Sequence, residues 1–254
     1  MRPLILVTND DGINAPGIRA LIDAAKEIGD ILVVAPDKPQ SGMGHAITIN
    51  STLRINPTNI SETDHKEFSC SGTPVDCVKL AIGRLLDRKP DICISGINHG
   101  SNSSINVIYS GTMSAAVEGC IEGIPSVGFS LCDYALEANF EASKIIAKKI
   151  ILNLLEKGLP KGVCLNVNIP KLPIDAIQGI KVCRQANAIW EEEFDERKDP
   201  YGRNYYWLTG VFKNLDEGDD TDEMALKNGF VSVVPIEIDF TAHHAIEEIK
   251  KWQL

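Results

Sequence analysis

Apolar positions along the chain alternate between two patterns. Short unbroken runs at Leu4–Thr8, Ile31–Ala35, Asp91–Ser95 and Ser126–Leu131 read as buried parallel strands. After the first run, apolar residues at 18, 21, 22, 25 and 28 have helical spacing, with Gly29 placed to stop the helix. Two further helices open on the same tripeptide. Ser71-Gly72-Thr73 leads into Pro74 and apolar positions 75, 78, 82 and 85; Ser110-Gly111-Thr112 leads into 113, 116, 117, 120 and 121. A Thr N-cap, followed in one case by Pro as first helical residue, is a sound start for both. A helix over about 135–156 and a strand around 164–167 continue the series. The alternation predicts an α/β fold with a mostly parallel sheet and right-handed crossovers. From about 171 onward the periodicity weakens and turn signals, Trp, Tyr and acids take over. So long an irregular stretch is usually functional or an arm for a partner.

Composition adds exclusions. With 254 residues, 44% hydrophobic and 24% charged, the chain reads as one ordinary globular unit. No stretch approaches the roughly 20 apolar residues of a membrane span. The opening run Leu4–Val7 meets Asp10 and Asp11 too soon for a signal peptide. Seven cysteines, at 70, 77, 93, 120, 132, 164 and 183, include no C-x-x-C pair, which argues against a zinc site or a disulfide framework and for reduced thiols in the cytoplasm. Of the net charge of −10, residues 191–223 carry −8 through 12 acids and four bases. An acidic chain is a poor binder of polynucleotides, whose affinity comes from neutralising many phosphates, but it can hold one small anion.

Ligands of open α/β sheets collect beyond the carboxyl ends of the strands, so the loops after Thr8, Ala35 and Ser95 carry the candidate chemistry. The first, Asn9-Asp10-Asp11-Gly12, sets two carboxylates side by side, a repulsion of roughly 4 kcal/mol at 4 Å and an effective dielectric of 20. A divalent cation relieves it; a turn with a capping Asp is the plainer alternative. The second loop, Ala35 to His45, is ordered by Gly and Pro turns. By itself Ser41 is a loop serine and His45 a packed or solvated histidine. The third combines Gly96-Ile97-Asn98-His99-Gly100-Ser101-Asn102 with Ser110-Gly111-Thr112. Its glycines permit close backbone approach, its Asn98 amide is a neutral oxygen ligand, and its helix N-terminus suits a phosphate. Ser71-Gly72-Thr73 offers the same anion-binding physics, and the pattern alone does not choose between the two. Taken together, Asp10, Asp11, Ser41 and Asn98 form an all-oxygen set suited to Mg²⁺, Mn²⁺ or Ca²⁺. Two carboxylates match one divalent charge, which points to metal-assisted hydrolysis of a phosphoryl group.

These segments also carry a resemblance. LILVTNDDGINAPGI, VVAPDKPQSG, SGTPVDCVKLAI and PDICISGINHGSN…VIYSGTMSAAVEG resemble four successive signatures of the SurE (survival protein E) nucleotidases. Weaker similarity runs on through LNVNIP, Thr221-Asp222, GFVSVVPI and DFTAHHA. The resemblance implies a Rossmann-like three-layer core over 1–170 and a β-rich and helical oligomerisation extension over 171–254. It implies a metal-dependent phosphatase of nucleoside 5′- and 3′-monophosphates, some members also acting on short polyphosphate. It further implies a homodimer or homotetramer with exchanged C-terminal arms. Asp10, Asp11, Ser41 and Asn98 fall on the family's metal ligands; Asn98, Ser110, Gly111 and Thr112 fall in its phosphate-binding region, and Asn9 lies beside the metal. That selects the second tripeptide. The chain departs from the family pattern at Gln40, where members often carry a base, at Ser103-Ser104-Ile105, where many have a glycine and an acid, and at Asp220-Thr221-Asp222.

Two other readings use the same loops: an aspartyl-phosphate phosphatase of the haloacid-dehalogenase type with Asp10 as nucleophile, and a non-catalytic nucleotide- or metal-binding module. Those dehalogenase-type enzymes place two acids one residue apart, whereas Asp10 and Asp11 are adjacent. For residues 191–223 the choices are a solvated loop or an oligomerisation arm, the latter motivated by Trp190, Tyr201, Tyr205, Tyr206 and Trp207 among the charges. Ile246–Trp252 reads as a short amphipathic helix; His243 and His244 take no role.

Overall fold

The computed structural model describes residues 2–58, 65–135 and 137–252. Its centre is a nine-stranded sheet, in chain order β1 (Leu4–Thr8), β2 (Asp30–Pro36), β3 (Ile55–Thr58), β4 (Lys66–Cys70), β5 (Ile92–His99), β6 (Ser126–Leu131), β7 (Val163–Ile169), β8 (Ile180–Val182) and β11 (Val231–Glu237). They lie side by side as β3-β4-β2-β1-β5-β6-β7-β11-β8. The six from β4 to β7 run parallel; β3 is antiparallel to β4, and β11 is antiparallel to β7.

Side chains alternate across each strand, so one strand feeds two cores. Ile5, Val7, Ile92 and Ile94 pack beneath α1 (Pro16–Ala25) and α4 (Glu141–Lys157). Leu6, Leu32, Val34 and Cys93 face the other way, toward α2 (Pro74–Leu80) and α3 (Gly111–Ile121). Each fully buried Ile, Leu or Val contributes about 1.5–3 kcal/mol, enough to fix the register, because a one-residue slip exchanges the two faces.

β1 sends its crossover to one side, toward β2, while β5 sends its own toward β6 on the other. The switch point therefore lies between β1 and β5, where the first and third candidate loops emerge.

Several boundaries differ from the sequence expectation. Thr73 caps α2 through a capping box with Asp76, as its motif predicts, but α3 is capped by Ser110, whose Oγ accepts from the Met113 amide. Thr112 stands inside the first turn, its hydroxyl directed elsewhere. The helix expected from 135 begins at Glu141. The stretch beyond 171 holds more order than its periodicity suggests. β9 (Ala188–Lys198) and β10 (Asn204–Asn214) form an antiparallel ribbon of eleven paired positions, outside the main sheet. The weak periodicity has a physical cause: one face carries Trp190, Phe194, Tyr206, Leu208 and Phe212, the other Tyr205, Trp207 and Val211, so neither is uniformly polar. The remaining α-helices among the described residues are α5 (Asp222–Lys227) and α6 (Ile246–Ile249), the latter shorter than expected, and short 3-10 turns lie at Ser104–Ile108 and His243–Ala245. No described helix is long and apolar enough to cross a membrane.

Candidate active site

At the switch point Asp10, Asp11, Ser41, Asn98 and Ser110 line one cleft of about 200 Å³. Backbone bonds hold its three loops together. The Gln40 amide donates to the Asp10 carbonyl at 2.8 Å, the Ile13 amide to the Pro36 carbonyl at 2.9 Å, and the Gly44 amide to the Tyr109 carbonyl at 3.2 Å. The register of β5 against β6 shifts between Ser95 and Asn98, a bulge that re-aims Asn98. Gly96 sits in that bulge at φ 124°, and a Cβ there would meet the Phe129 carbonyl oxygen at 2.4 Å.

Each aspartate has its own supports. Asp10 is 5% exposed, and its Oδ1 accepts the Thr112 hydroxyl. Burial, with the neighbouring charge of Asp11, pushes its pKa up to about 6, although hydrogen bonding from Thr112 opposes the shift. Asp11 is half-buried; its pKa is also raised by burial, against the pull of the His99 amide, which donates to Oδ2 at 3.2 Å. Among the described residues no Lys or Arg pairs with either carboxylate. Gly111 is the residue that permits this approach, since a Cβ there would stand 2.7 Å from the Asp10 Cβ.

Asn98 donates from Nδ2 to the carbonyls of His99 and Gly100 at 3.1 and 2.9 Å, which leaves Oδ1 as its available acceptor. Ser41 is exposed on the cleft's rim. Asn9 does not line the cleft. Its Nδ2 donates to the Gly12 carbonyl at 2.9 Å and shapes the turn presenting both aspartates, while its buried Oδ1 has no partner in the structure. Gly111 and Thr112 stand behind the cleft against Asp10, and Ser110 lines it.

The donor chemistry fits a divalent cation: two carboxylates without a cationic partner, with neutral Ser and Asn oxygens beside them. No three His, Cys, Asp or Glu side chains gather at a metal-binding separation among the described residues, so any such site must draw on those neutral oxygens.

The two tripeptides are also different in kind. At α2 the Asp76 carboxylate already fills the helix N-terminus, accepting from the Thr73 amide at 2.9 Å and from the Thr48 hydroxyl at 2.6 Å. The first turn of α3 contains no acid of its own and opens on the cleft through Ser110. His45 belongs to the loop's support, its Nε2 lying 2.9 Å from Oε2 of the buried Glu118. The cleft also includes Asn106, Tyr109 and Tyr134. Tyr134 lies just past β6, beside residues of no motif, and nothing in the local sequence singles it out. Its ring packs on Gly100, where a Cβ would come within 2.3 Å.

A family model described as Survival protein SurE matches residues 5–192. The chain is 66% identical over 254 residues to the 5′-nucleotidase SurE of Christiangramia forsetii, covering all of this chain and 98% of that one. It is 64% identical over 253 residues to the protein of the same name from Flavobacterium psychrophilum, at the same coverage. Among solved structures, the SurE protein from Aquifex aeolicus superposes with a TM-score of 0.84 at 40% identity, over 98% of each chain. The switch-point aspartates, the α3 N-terminus and the sheet order thus occur in a chain that belongs to the SurE family.

Proposed function

We propose that the protein is a divalent-metal-dependent phosphatase that hydrolyses nucleoside 5′- and 3′-monophosphates, with short polyphosphate as a further substrate. The observation that carries this reading is the Asp10–Asp11 pair, with no cationic partner among the described residues, sharing one cleft with Ser110 at the α3 N-terminus. The printed name of the relatives, 5′-nucleotidase SurE, supports the substrate class.

Asp10, Asp11, Ser41 and Asn98 would hold one Mg²⁺ or Mn²⁺, which when bound supplies charge neutralisation and Lewis acidity at the phosphoryl group. The chain's own contribution is positioning. Thr112 fixes the Asp10 rotamer, the His99 amide fixes Asp11, and Ser110 at the positive end of α3 would receive the phosphate oxygens. Asn9 holds the turn that carries both carboxylates. In the reaction water adds to phosphorus, the bond from phosphorus to the ribose oxygen breaks, and the nucleoside leaves with one of the water's protons. Nucleophilic attack by Asp10 itself fits poorly, because this side chain is 5% exposed and engaged by Thr112.

The ribbon's apolar side chains support a homodimer or homotetramer built through residues 188–214, with Phe194 67% and Leu208 61% exposed. Seven cysteines without a disulfide, six of them buried, support a cytoplasmic location.

The test is phosphate release from a panel of nucleoside monophosphates in EDTA, then with Mg²⁺ or Mn²⁺ restored. Release that requires metal and disappears in folded Asp10→Asn and Asp11→Asn variants is the expected result. Equal release from wild type and both variants would refute the metal site; a phosphoenzyme trapped on Asp10 would establish the aspartyl-phosphate route; no release with any metal would leave a binding module.

A further inference from the structure

Ser104 is the one described non-glycine residue with positive φ, at 53°. A left-handed serine costs of order 1 kcal/mol and persists where its surroundings enforce it. Here the enforcement comes from the far end of the chain. The Ser104 amide donates to Oδ2 of Asp222 at 2.7 Å, and its hydroxyl to the Ala186 carbonyl at 2.9 Å. Asp222 is 0% exposed; its Oδ1 accepts from the amides of Ala186 and Glu223, both at 2.9 Å. One buried carboxylate therefore joins the cleft wall to the segment leading into β9. Two residues further along that wall, Asn106 accepts at Oδ1 from the Trp190 indole at 2.8 Å, and Trp190 is itself in β9.

We infer that Asp222 and Trp190 are positioning residues for substrate: they clamp the turn 104–106, and through it the cleft wall bearing Asn106 and Tyr109, to the root of the β9–β10 ribbon. Asp10 and Asp11 take their side-chain bonds from Thr112 and His99, outside the clamped turn, so the clamp acts chiefly on the side of the cleft left for the nucleoside. The inference rests on the nucleotidase reading.

The experiment compares wild type with Asp222→Asn, Trp190→Phe and the double variant Asp222→Asn/Ser104→Gly. The asparagine keeps the volume of Asp222 but offers one acceptor oxygen to backbone donors that now reach two. Expected for Asp222→Asn is a rise of about tenfold in KM for a nucleoside monophosphate, which is about 1.4 kcal/mol, with kcat and the inhibition constant of inorganic phosphate within twofold of wild type. Glycine adopts the left-handed conformation unaided, so the double variant recovers much of that loss, which a purely structural role for Asp222 in α5 would not allow. Trp190→Phe, an exposed change that keeps the fold, raises KM about threefold in the same selective way. An unchanged KM in Trp190→Phe, or a loss confined to kcat in Asp222→Asn, overturns the inference. Absence of nucleotide hydrolysis by the wild type refutes the nucleotidase reading instead, and the same ratio is then read from nucleotide and phosphate binding by calorimetry, where equal losses for both ligands overturn the clamp.

Discussion

Replacing Asp10 by Asn should stabilise the metal-free protein at neutral pH. The carboxyl's pKa stands at about 6 in the folded chain, against 3.8 for an ordinary aspartate. A raised folded pKa means that the native state binds this proton more tightly than the unfolded chain does. Stability from this group is therefore complete below pH 3.8 and is lost as pH rises through 6. The loss is about 3 kcal/mol at 1.36 kcal/mol per unit. Asparagine removes the charge but weakens the Thr112 hydrogen bond, at a cost of about 1 kcal/mol. The net gain is about 2 kcal/mol, or about 4–8 °C in Tm for a chain of this size. Thermal unfolding in EDTA at pH 7.5 and pH 4.5 reads it directly: Asp10→Asn melts above wild type at the higher pH, and the gap closes at the lower. Saturating Mg²⁺ or Mn²⁺ reverses the order, because ligand at 100 times its Kd adds about 2.7 kcal/mol to the wild type alone. A variant that melts below wild type by the same margin at both pH values in EDTA would refute the account of Asp10 as a carboxylate whose charge is penalised by burial and by Asp11.

Other outcomes follow from single contacts. Gly111→Ala should lower kcat/KM by about 10²-fold in a folded protein, since its methyl displaces Asp10 and small displacements of reacting groups cost that much. Replacing residues 191–211 by a two-residue turn keeps the Trp190–Phe212 pair and should give monomers in sedimentation. A cut extended through 223 would instead remove the fully buried Thr221 and Asp222 and should prevent folding. Cys93 and Cys164, both pushed up to about 12 by burial, should resist disulfide reagents at pH 7.5 until the chain unfolds, as thiol titration would show.

What was legible in sequence was whatever depends on local order. β1, β2 and β5 announce themselves as apolar runs because both their faces are covered, and the loops that follow them hold the cleft. Thr73 could be read as a cap because its partner Asp76 lies three residues away. The assignment of Thr112 as a cap missed, because its hydroxyl is taken by Asp10, 102 residues distant, and Ser110 caps instead. β3 and β4 escaped for a similar reason. Strands of four and five residues with Asn, Pro and Lys, at and next to the sheet edge, are specified by pairing rather than pattern. Asp222 matches a motif only in part, because what it holds, Ser104 and Ala186, lies 118 and 36 residues away in sequence.

In the proposed oligomer the ribbon has a consequence for how the molecule behaves on dilution. Eleven paired positions extend about 36 Å at 3.3 Å per residue, with no third strand among the described residues to lean on. Two strands alone are marginal in water, so the order of the distal rungs depends on whatever covers them. Amide exchange along β9 and β10 should therefore form a gradient, slow beside Trp190 and fast near Tyr201, that flattens as protein concentration rises. Because Trp190 is bonded to Asn106 in the cleft wall, the same dilution should loosen the hold on substrate. An assay run at nanomolar enzyme and one run at micromolar enzyme would then measure two differently tensioned sites.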